Sequence, residues 1–76
     1  MKERYYFTQL ASALERAIHA DVGLEGLDIL IHGWIKKGGI NRPTLFMRKK
    51  NAGEAYLTYL EVVDFSRYAG YDLTKE

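Results

Sequence analysis

Cysteine is absent from this chain, and proline occurs once. Without thiols there is neither a disulfide framework nor a thiolate zinc site, so apolar burial has to carry the fold, as suits a reducing cytoplasm. A cytoplasmic location is therefore expected. No apolar run approaches the roughly 18 residues of a membrane span, and the opening Met-Lys-Glu-Arg-Tyr-Tyr lacks the basic-then-apolar order of a signal peptide. Net charge is also small, at +1, and with 47% hydrophobic residues the chain does not read as disordered. Its 76 residues suffice for one domain over 1–76, with 72–76 expected as a fraying polar tail.

What is present begins with one clear helical period. Leu10, Ala13, Leu14, Ala17 and Ile18 recur on a single face, which predicts a helix over about 9–21 with Thr8 as N-cap and Gly23 as the breaker. Ahead of it, the aromatic-rich Arg4-Tyr5-Tyr6-Phe7 suggests a short strand.

From Leu27 to Lys36 the apolar residues alternate instead. Leu27, Ile29, Ile31 and Ile35 fall on one side of a strand, with Leu30, His32, Trp34 and Lys36 on the other. The turn-rich stretch from Lys37 to Pro43 then leads into a returning strand over Thr44 to Lys50, with Phe46 opposite Trp34 and Arg48 opposite His32. The segment Glu54 to Phe65 fits both periods in part, and its aromatic and β-branched residues favour a strand. The expected class is therefore α+β: one amphipathic helix packed on a three-stranded antiparallel meander, (β)αβββ. The alternative is αββα, with 54–69 helical. In the meander Leu14, Ile18, Ile29, Ile31, Leu45 and Met47 form the core, and Trp34 lies on the face that the single helix leaves open.

Charge is segregated along the chain. Lys36, Lys37, Arg42, Arg48, Lys49 and Lys50 place six cations within 36–50 with no acid among them, while the remaining five basic and ten acidic residues leave the rest at −5. On the hairpin Lys36, Arg48 and Lys50 share a face with His32, Trp34, Phe46 and Tyr56. Cations that displace counterions from phosphate, beside rings that stack on unpaired bases, suit nucleic acid. The expected contact residues are Lys36, Lys37, Arg42, Arg48, Lys50, Trp34, Phe46 and His32.

The same face supports a second expectation. An exposed patch of Trp34, Phe46, Leu30 and Tyr56 also suits a protein partner or a homodimer. Small size fits an inhibitor or adaptor of viral or mobile-element type acting on a larger host protein; if that protein itself processes nucleic acid, the acids Glu15, Asp21, Glu25 and Asp28 fit a groove meant for phosphate.

Catalytic signals are weak. Lys36-Lys37-Gly38-Gly39 lacks phosphate-loop spacing, His19 and His32 form no metal-ligand motif, and neither Ser12 nor Ser66 has a histidine at a recognisable offset. Glu61 and Asp64 are three residues apart, an ordinary surface spacing. The chain is thus expected to be a non-enzymatic binding module with no cofactor, no metal and no small-molecule substrate.

Overall fold

Leu27 and Ile31 satisfy a helical period as well as an alternating one, and Trp34 satisfies only the helical one. A computed structural model, which describes residues 2–75, resolves the conflict in favour of helix. The order is β1 (Tyr5–Tyr6), α1 (Phe7–Ile18), α2 (Gly23–Lys36), α3 (Arg42–Ala52), β2 (Tyr56–Leu57) and α4 (Tyr59–Ala69). β1 and β2 pair antiparallel, Tyr5 opposite Leu57 and Tyr6 opposite Tyr56, in a two-stranded ribbon. The expected three-stranded meander is not formed. Nor is the αββα alternative, because the intended hairpin is two helices and the last helix runs only from Tyr59 to Ala69.

The physical reasons are local. Asn41 accepts the Thr44 N–H on Oδ1 at 2.9 Å, and Pro43 sits in the first turn where no amide is needed, so Asn41-Arg42-Pro43-Thr44 starts α3 rather than a strand. Thr58 caps α4, and Glu61 reaches back to the Thr58 N–H at 2.8 Å, the reciprocal arrangement of a capping box. Each helix then satisfies its backbone internally, whereas the meander would have required long-range pairing for the same amides.

α1 buries Leu10, Ala11 and Leu14, and starts two residues earlier than the period predicts because Gln9 Oε1 accepts the Tyr6 N–H at 3.1 Å. It ends at His19, not Gly23, with His19 in the left-handed region at φ 57°. Glu15, which the helical spacing pairs with His19, instead accepts the Val22 and Gly23 N–H groups at 2.9 Å each and fastens α1 to the start of α2. Those two bonds hold its carboxyl below the usual range.

Leu27, Ile31 and Trp34 form the buried stripe of α2, and Val62 and Phe65 that of α4. The Trp34 and Phe65 ring centroids are 5.3 Å apart. Leu10, Leu14, Leu57 and Leu73 complete the centre of the core. Of the six core residues expected, Leu14, Ile31 and Leu45 are buried, Ile18 is half-buried, and Ile29 and Met47 are exposed. Helical geometry turns Ile29 away from Leu27 and Ile31, where a strand would have aligned all three. Leu73, in the expected polar tail, is also buried, and its N–H donates to Ser66 Oγ at 2.9 Å.

Two glycines permit close approaches. Gly33 lies against the Tyr68 hydroxyl, joining α2 to α4, and Gly39 lies flat against the Trp34 indole. A Cβ at either position would overlap its neighbour.

Candidate functional site

The residues expected to form one basic, aromatic face are dispersed. Trp34 is 2% exposed, and its Nε1–H donates to Asp64 Oδ2 at 2.8 Å, so the expected open stacking platform does not exist. The cause is the helical period, which aligns Trp34 with Leu27 and Ile31.

Arg48 is also committed to the fold. Its guanidinium donates to both Glu61 carboxylate oxygens, at 2.6 and 3.0 Å, and to the Tyr56 carbonyl at 3.0 Å. It also lies over the Tyr56 ring, 5.0 Å from the centroid, with Arg4 at 4.6 Å from the same ring. Burial tends to raise the Glu61 pKa, but the Arg48 and Thr58 hydrogen bonds and the Arg48 charge outweigh it and hold the carboxyl below its ordinary value. The hydrogen bond from Arg48 to Glu61 likewise raises the Arg48 pKa against the effect of burial.

Arg42 and His32 do meet. Arg42 donates through Nη2 to His32 Nδ1 at 3.0 Å, and its Nη1 lies 3.5 Å from Asp28 Oδ1. Lys36 and Lys37 lie at the C-terminal end of α2 and Lys49 and Lys50 in the last turn of α3, where cations are favoured by the helix dipole; all four are exposed.

Phe46 is the expected site residue that stands out most in the structure. Leu45 is the only described α3 residue that is fully buried, which leaves Phe46 68% exposed one position on. Phe46 lines a groove of about 1030 Å³ between α3, the start of α1 and the start of α2. Leu24, itself 51% exposed, faces it from α2, Phe7 from α1 and Pro43 from α3, while Lys49 and Glu54 supply polar margins. Exposed large apolar side chains gathered round a concavity usually mark an interaction site.

Leu24, Phe7 and Pro43 escape sequence reasoning because each owes its place to the helix arrangement. Only the exposed Phe46, adjacent to a core leucine, carries a local signal, and it emerges once 42–52 is read as helix.

Two smaller depressions, of about 270 and 410 Å³, lie beside α1 and α4 and are more polar. Among the described residues, no group of three or more His, Asp or Glu side chains gathers as a metal site, and no buried side-chain polar atom lacks a hydrogen-bond partner. No helix among them is long and apolar enough to cross a membrane. The chain matches no family model, no curated protein and no solved structure.

Proposed function

We propose that this chain is a non-enzymatic protein-binding module whose α3 groove receives an apolar anchor from a larger protein. The observation that carries the reading is the exposure of Phe46 of α3 and Leu24 of α2 in the lining of one apolar groove. Apolar anchors seated in such grooves dominate the binding energy of many interfaces. An inhibitor or adaptor role in the cytoplasm belongs to the same proposal, supported by the cysteine-free composition.

Nucleic-acid recognition is the weaker reading. It retains the exposed Lys36, Lys37, Lys49 and Lys50 but loses the Trp34 stacking surface and the Arg48 charge. A two-fold homodimer across α3 is disfavoured too, since Lys49 and Lys50, with no ion-pair partner among the described residues, would meet cations of the second copy.

The test is affinity capture from lysate with the wild-type chain and with Phe46→Glu, each before and after nuclease treatment. A partner retained after nuclease and lost with Phe46→Glu supports the proposal. Capture abolished by nuclease transfers the function to nucleic acid, and capture indifferent to Phe46 overturns the groove as the site.

A further inference from the structure

The groove constrains what can occupy it. It follows α3 past Arg42, Leu45, Phe46 and Lys49 to Gly53, and the 11 residues of that helix span about 16 Å, the length of roughly three helical turns. Partners usually enter such a surface either as an added strand or as a helix. A strand needs free backbone donors and acceptors along the wall. Here the Phe7 N–H donates to the Ala55 carbonyl at 3.1 Å, the Thr8 N–H to Glu54 Oε1 at 2.9 Å and the Gly53 N–H to the Lys49 carbonyl at 2.8 Å, while Pro43 has no N–H. With those donors taken and the other walls formed by the helices α1, α2 and α3, the groove offers no extended strand edge, and a segment that satisfies its own backbone, as a helix does, suits it best.

Charge sets the second constraint. Asp28 is paired with Arg42, and Glu54 accepts the Thr8 N–H at the Gly53 end of the groove while keeping its negative charge, so the uncompensated positive charge lies along α3. Lys49, on the α3 wall, has no ion-pair partner among the described residues, and Lys50 adds an exposed cation beside it. We infer that the occupant is an acidic amphipathic helix of a partner protein, with apolar anchors at i, i+4 and i+7 against Phe46 and Leu24 and carboxylates towards Lys49. This inference rests on the protein-binding reading and specifies its partner.

Selection of random 16-residue peptides on the intact chain tests it, with Phe46→Glu and Leu24→Glu as counter-selection targets. Both substitutions fall at exposed positions, and far-UV circular dichroism checks that each variant remains folded. The expected survivors bind wild type alone, carry the i, i+4, i+7 apolar pattern with Glu or Asp on one flank, gain helicity when bound, and weaken by about tenfold against Lys49→Glu. Survivors that require Phe46 but are extended, proline-rich or basic overturn the helical, acidic occupant and leave the protein-binding reading standing. If no peptide requires Phe46 or Leu24, the inference fails; if lysate capture is also indifferent to Phe46, the broader reading fails with it.

Discussion

Replacing Trp34 with alanine is the most direct challenge to this architecture. A buried tryptophan removes about 150–250 Å² from water, equivalent to roughly 4–6 kcal/mol at 25 cal/mol per Å² as an upper bound. Observed Trp→Ala changes in cores cluster at about 3–5 kcal/mol, and the 2% exposure of Trp34 places it in that class. For 76 residues, at roughly 0.05–0.15 kcal/mol per residue, the total stability is about 4–11 kcal/mol. Trp34→Ala should therefore remove a large part of the stability or unfold the chain. Asp64→Ala leaves the indole in place but removes the acceptor 2.8 Å from Nε1, and should cost about 1–3 kcal/mol. Urea titration followed by circular dichroism measures both. In the wild-type chain, indole emission should be blue-shifted and poorly quenched by iodide. A Trp34→Ala loss below about 1 kcal/mol, or emission like that of free indole, would refute a helical α2 with Trp34 in its buried stripe.

Further outcomes concern the helix junctions. Glu61 has a folded pKa below its unfolded value, so the unfolded chain takes up the proton first; the stabilisation is complete above about pH 4.3 and fades as pH falls through the lower folded value. Glu61→Gln should cost about 1–2 kcal/mol near neutrality, and urea midpoints at about pH 7 and about pH 3 should differ less in the variant than in wild type. Gly39→Ala drives a methyl into the rigid Trp34 ring and should cost about 1–3 kcal/mol by thermal melting. Gly33→Ala meets only the outer end of the partly exposed Tyr68, and a gain of about 1 kcal/mol in helix propensity offsets the displacement, so its melt should move little. Glu15→Ala releases the Val22 and Gly23 amides, which should exchange with deuterium faster than in wild type.

The parts of the fold legible in the sequence are those in which one period stands alone. α1 is such a case, because Leu10 and Leu14 have no competing alternation. α2 is not, since Leu27 and Ile31 serve either period and the β-branched Ile29 and Ile35 add strand preference; the decisive residue is Trp34, which a strand sets on the face opposite Leu27 and Ile31 and a helix sets beside them. α3 buries only Leu45 fully, so it has little apolar periodicity to detect, and its surest mark is Asn41 two residues before Pro43. In α4 the Thr58 to Glu61 capping box outranks the aromatic and β-branched content that favours a strand. The expected face fails for the same reason as the meander. Phe46 and the lysines remain exposed because they lie off the core stripes, whereas Trp34 and Arg48 are drawn into contacts made by α4, which the meander left out.

The meagre anchorage of α3 bears on the energetics of any docking event. A helix held by one fully buried leucine and by the polar contacts of Arg42 and Arg48 should open at a lower free energy than α2 or α4, and faster amide exchange across 42–52 than across those two helices would show it. Any partner that binds only the closed form has its apparent affinity reduced by the closed fraction of α3, and in return its binding stabilises that helix by mass action. Substitutions at Glu61, which is not among the groove-lining residues, should therefore alter partner affinity through the closed population while leaving the contact surface itself unchanged.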